Sequence, residues 1–155
     1  MQLFIRTNCL MRLSELVWPN NSALQDYRKI TMHHLVQTSD DALSFWLLGY
    51  KGDQFFEGNR LFVQASTDKP FHLFLSYLSS RDTSFRARPE LWLCSNGTIP
   101  TRYWFISCLR RFFPSSIAGQ SMYAGGATAL VEAGTPPTLI QAAGRWSSDT
   151  FNHYI

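Results

Sequence analysis

The stretch Gly144-Arg145-Trp146-Ser147-Ser148-Asp149-Thr150-Phe151-Asn152-His153-Tyr154 decides how the rest of the chain is read. Ser147 is placed to cap a last short helix running to Ile155, and Tyr154 falls eight residues after Trp146. Immediately upstream, Thr135 is a helix-capping residue and Pro136 suits a first helical position, so a helix is expected over 136–143. Before it, residues 121–133 are rich in alanine and glycine and predict a helix ending at Gly134. Gly125, Gly126, Ala127 and Ala129 on that helix suit close packing against a neighbour.

Further from this stretch the helical pattern continues over 101–113, where Tyr103-Trp104-Phe105 and Leu109 precede Arg110-Arg111. Another helix begins after Pro70, with Phe71, Leu73, Phe74, Leu75, Tyr77 and Leu78 on one side. Between residues 29 and 64 the texture changes to short β-type runs at 30–36, 43–48 and 61–64. The turns between them fall at Asp40-Asp41 and Lys51-Gly52-Asp53. At the start, residues 3–18 predict one helix with Leu10, Leu13, Leu16 and Val17 on its apolar face, stopped by Pro19-Asn20-Asn21. The fold class expected is therefore α+β, mostly helical, with a small three-stranded antiparallel sheet in a single domain over 1–155.

Composition narrows the function classes. At 155 residues with 45% hydrophobic and 16% charged positions the chain can build a core, and it is too weakly charged for a disordered segment. Its longest uncharged apolar stretch, around 43–50, falls well short of the ~20 residues that span a bilayer. Cys9, Cys94 and Cys108 are odd in number and widely spaced, which predicts buried, reduced thiols rather than a zinc or disulfide framework. No secretory signal opens the chain, so an intracellular protein is expected, nuclear if the host is eukaryotic. The formal charge of +3 mildly favours a polyanionic partner.

Several chemistries lack their residues. Gly125-Gly126 has neither the spaced glycines nor the lysine of a phosphate loop. In Gly119-Gln120-Ser121-Met122-Tyr123 a tyrosine occupies the closing glycine of a hydrolase elbow. His33 and His34, expected on a strand, would face opposite ways and cannot hold one metal together. No metal, cofactor, membrane or small-molecule substrate is therefore expected.

What remains is a constellation: Gly144-Arg145-Trp146-Ser147-Ser148 with Tyr154, the small-residue helix around Gln120 and Tyr123, and Arg12-Leu13-Ser14-Glu15-Leu16 near the start. On these residues the chain resembles the catalytic domain of tyrosine recombinases, the phage-integrase family. It looks closest to integrase-like proteins of fungal mobile elements. The resemblance implies double-stranded DNA as partner, assembly of several copies on DNA, and strand cleavage through a 3′-phosphotyrosine. It implies Tyr154 as nucleophile, Arg12 as first phosphate clamp, Lys51 as general acid and Trp146 as an N–H donor to the phosphate. Gln120 stands where the family has histidine, and Tyr123 where it has the second arginine.

A glutamine amide still donates to a phosphate, but a phenol cannot replace a permanent forked cation. Losing one preorganised charge donor at a transition state costs about 10²–10³ in rate, so an impaired or inactive site is expected. Arg145 and Arg110-Arg111 are left as solvent-facing or DNA-backbone residues. The short lead before Arg12 and the end one residue after Tyr154 are read as a truncated, degenerate copy without the family's separate N-terminal helical domain. The alternative is a non-enzymatic DNA-binding remnant of a mobile-element integrase.

Overall fold

The computed structural model of the chain describes residues 1–40, 42–49, 58–64 and 69–146. Its first eighteen residues form two helices, not one: α1 (Gln2–Asn8) and α2 (Leu13–Leu16). Leu10 between them has φ of 46°. The Met11 N–H donates to the Arg6 carbonyl at 3.2 Å, the six-to-one bond of a Schellman-type helix end. Leucine at the left-handed position gives no sequence signal for a stop, because glycine normally takes that place. The turn is fixed by what it buries: Leu10, fully enclosed, turns away from the main core into a second cluster.

Strands β1 (Val36–Thr38), β2 (Ala42–Leu47) and β3 (Asn59–Gln64) form the expected antiparallel sheet in the order β1-β2-β3. Phe45 lies opposite both Val36 and Leu61, and Leu43 opposite Val63. The first strand starts later than the apolar run from Ile30 suggests. Ile30 lies in a bend, and the residue after it bonds elsewhere: the Thr31 N–H donates to the Glu15 carbonyl and the Leu91 N–H to the Thr31 carbonyl, each at 3.0 Å. His33 and His34 then lie in a 3₁₀ turn, not on a strand, and His33 Nε2 meets Asp82 at 3.1 Å.

Helix α3 (Lys69–Phe85) runs past Arg81 and Asp82 and covers the inner face of the sheet. Phe74 packs edge-on against Phe45 at 5.6 Å and Trp92 at 5.9 Å, while Tyr77 stacks on Trp92. The main core combines these rings with Ile5, Met11, Leu16, Val17, Leu43, Leu47 and Phe105. Buried Arg81 ties α3 to the following loop by donating to the Glu90 carbonyl at 2.8 Å.

Helix α4 (Arg102–Leu109) starts at Thr101, whose hydroxyl accepts from the Trp104 N–H. Helix α5 (Gly119–Glu132) ends at Gly134, φ 75°, as its sequence foretells. Helix α6 (Pro137–Gly144) has Pro136 at its cap and Pro137 at its first position, one residue later than expected from Thr135. The three cysteines are free; Cys9 is buried, whereas Cys94 and Cys108 are only half-buried. Lys51, Tyr154, the turn around Lys51 and the short helix expected after Ser147 lie outside the described residues.

Candidate functional site

Three of the six candidate residues converge where the α1–α2 turn meets α5 and the end of α6. Arg12 leaves the turn half-buried, and its guanidinium donates to the Arg145 carbonyl at 3.3 Å. Tyr123 on α5 is 8% exposed; its hydroxyl donates to the Gly144 carbonyl at 2.5 Å. Its ring meets the half-buried Trp146 edge-on at 5.1 Å. Gln120 is exposed one turn earlier on α5, spaced by three from Tyr123 and so on the same side of the helix.

Small residues make this junction possible. A Cβ at Gly126 would lie 2.5 Å from the Thr7 carbonyl oxygen of α1, so only glycine permits that approach. Ala127 beside it is fully buried. Gly125 faces open space and Ala129 is exposed, so two of the four expected packing residues do the work. Arg6, at the end of α1, is buried and donates to the Gly119 carbonyl at the head of α5. Burial lowers its guanidinium to about 10, with Glu15 and Tyr123 pulling the other way.

Two residues that sequence reasoning passed over organise the site. Glu15, 2% exposed, accepts the Arg12 backbone N–H at 2.8 Å. Arg145 faces neither solvent nor a free surface: it is 9% exposed, and its Nη2 donates to both Glu15 carboxylate oxygens at 2.9 Å. Burial raises the Glu15 carboxyl above its ordinary value, against the downward pull of Arg145 and of the Arg12 N–H. Glu15 stands in the quoted 12–16 box three residues after Arg12, the position from which an acidic side chain reaches back to a helix cap. That spacing is the one signal that could have found it. Arg110 and Arg111 are exposed.

Chemically, the junction brings a guanidinium and an indole-bearing residue to one turn, with a neutral phenol locked against it, while the Gln120 amide is exposed one helical turn away on α5. Burial raises the Tyr123 hydroxyl above its ordinary value, so it stays protonated. Among the described residues no group of three or more His, Cys, Asp or Glu is placed for a metal ion, and no helix is long and apolar enough to cross a membrane.

The helices and the three-stranded antiparallel sheet define the class: this is the α+β fold of tyrosine-recombinase catalytic domains. Among solved structures the chain is similar to the XerH site-specific recombinase bound to its difH substrate in a pre-cleavage complex. The TM-score is 0.66 and the identity 19%, covering 99% of this chain and 41% of that one. It is also similar to the Tn1549 transposon integrase in complex with circular-intermediate DNA, with a TM-score of 0.60 and 14% identity over 99% of this chain and 52% of that one. This chain therefore spans roughly half of their length or less. No family model and no curated protein matches the sequence.

Proposed function

We propose that the chain is a DNA-binding domain of the tyrosine-recombinase kind, with a phosphate site on Arg12, Gln120 and Trp146 and with strand cleavage impaired at Tyr123. The observation that carries this reading is the meeting of Arg12 with the 144–146 turn across 133 positions of sequence. That contact brings the Arg12 guanidinium to the turn that carries Trp146, and a forked cation and an indole N–H are donors suited to the non-bridging oxygens of one phosphodiester. Both similar solved structures hold DNA, which supports the same class of partner here.

In the reaction so assigned, the Tyr154 hydroxyl releases its proton to solvent as its oxygen bonds to phosphorus and the phosphorus–oxygen bond on the 5′ carbon side breaks. Lys51 supplies the proton to the departing 5′ oxygen, and a 3′-phosphotyrosine remains. The bond energy kept in that ester lets a second 5′ hydroxyl rejoin the strand without a nucleotide. Arg12 and the Trp146 indole stabilise the charge that gathers on the phosphorus oxygens, and Gln120 adds an amide donor. Several copies on double-stranded DNA complete the exchange.

Tyr123 weakens the scheme twice. It brings no charge, and its O–H is committed inward to the Gly144 carbonyl. That inward bond also favours the second reading, a DNA-binding domain without catalysis. The test uses supercoiled plasmid with wild type, Tyr154→Phe, Tyr123→Arg and the double variant, scored for covalent protein–DNA adducts after denaturation. Adducts are expected with Tyr123→Arg, lost when Tyr154→Phe is added, and lower in wild type by about 10²-fold or more. Equal adducts in wild type overturn the impairment. Folded, plasmid-bound protein without adducts in any version decides for the second reading.

A further inference from the structure

Resting on the reading of Arg12 as a phosphate clamp, we infer that Arg145 is a positioning residue that fixes Arg12 and the Trp146 turn relative to each other. Three observations carry this. First, the side chain of Arg145 bridges the two segments: it donates to both oxygens of Glu15, and again to the Leu10 carbonyl at 3.3 Å. Second, Arg12 is gripped from both ends. Its backbone N–H bonds Glu15, and its guanidinium bonds the backbone carbonyl of Arg145 itself.

Third, Leu10 and Arg145 are the two non-glycine residues with positive φ among those described, at 46° and 54°. Left-handed backbone at such residues persists only where the surroundings over-determine it, and it collects at functional sites. Here the two strained turns are joined to one another by the Arg145 side chain, so each holds the other in place.

Charge separates this role from DNA contact. Arg145 and Glu15 are both buried and cancel, which leaves the net positive charge of the trio on Arg12. Arg145 therefore acts on a phosphate through Arg12. All three contacts come from Nη2, and lysine would have to bring a more strongly hydrated ammonium on a flexible stem to that same buried point, so it is expected to hold the two turns less firmly.

The experiment measures binding of a duplex of arbitrary sequence over a salt series, for wild type, Arg145→Lys, Glu15→Gln, Arg12→Ala and Arg12→Ala/Arg145→Lys, with thermal melts beside each. Arg145→Lys is expected to weaken binding about tenfold and to lower the salt slope by about one, the signature of one lost phosphate contact. In the Arg12→Ala background it should add nothing. Additive losses make Arg145 an independent contact and overturn the inference, as does unchanged binding by folded Arg145→Lys. Should Arg145→Lys fail to fold, the near-isosteric Glu15→Gln is expected to give the same loss.

Arginine Nε–H NMR signals of the free protein separate this inference from the function it rests on. A shifted Arg12 signal in Glu15→Gln supports the coupling even if wild type binds no duplex, in which case only the phosphate reading fails. An Arg12 signal that stays put in Glu15→Gln and in Arg145→Lys overturns the coupling itself.

Discussion

Around α3 the chain is held by large rings, Phe45, Phe74, Tyr77 and Trp92, packed edge-on or stacked over an apolar sheet face. Around α5 and α6 the apolar cluster is small, with Leu10, Tyr123, Ala127 and Ile140 as its buried members. There the attachment comes instead from close backbone approach at Gly126 and from buried polar ties, Arg6 to Gly119, Tyr123 to Gly144 and Arg145 to Glu15. The difference is one of tolerance. Apolar burial is non-directional and survives small shifts, whereas a buried ion pair stabilises only while both partners and their geometry remain. The candidate site is built on the second kind of attachment, which holds donors at fixed positions and is easily broken.

Three changes test that contrast. The largest loss is expected from Phe74→Ala, which empties the ring cluster and costs about 3–5 kcal/mol. It should lower the whole melt as one cooperative transition in calorimetry. A Phe74→Ala protein that loses α5–α6 signals alone in hydrogen exchange would break the comparison.

Gly126→Ala should come next, at about 1–3 kcal/mol, because its methyl meets the Thr7 carbonyl and must push α1 from α5. Hydrogen exchange is expected to quicken in α5 and α6 while the amides of β2 and α3 keep their protection. Uniform loss of protection in both regions would show that the two are one cooperative unit.

The smallest effect near neutral pH belongs to Cys9, buried at the end of α1. Burial pushes its thiol from an ordinary value of 9.0 up to about 12. A raised folded-state pKa means that the contribution is fully present below about 9 and is lost as pH rises from there toward 12. The slope is about 1.4 kcal/mol per pH unit. Chemical denaturation from pH 7 to 11 should therefore fall more steeply for wild type than for Cys9→Ala, while alkylating reagent at pH 8 labels Cys94 and Cys108 first. Equal slopes would remove Cys9 from the account.

Much of this was legible in the chain itself, because it rests on local rules. Period and caps placed the starts of all four later helices and the ends of α5 and α6 within two residues, since Thr101, Gly134 and the 136–137 proline pair act on their own turns, whereas α4 stops at Leu109, four residues short of the expected end, and α3 runs on to Phe85, past Arg81 and Asp82. Alternating apolar residues at 43, 45 and 47 define which face of β2 is buried, whatever packs on it. The order of Arg12, Gln120, Tyr123 and Trp146 along the chain supplied the candidate site.

Tertiary structure decided the rest. No local signal ends α1 at Leu10, because the left-handed turn is held by burial in a cluster whose other members lie more than a hundred residues away. The run from Ile30 is β-prone, but its N–H and carbonyl groups are claimed by Glu15 and Leu91, which no window around it contains. Tyr123 and Arg145 carry the same lesson. Their residue types state what they can donate, a phenol or a guanidinium, while the direction of donation depends on Gly144 and Glu15 being brought beside them. Donor chemistry is fixed by the covalent side chain, but its use is fixed by partners that only the folded chain assembles.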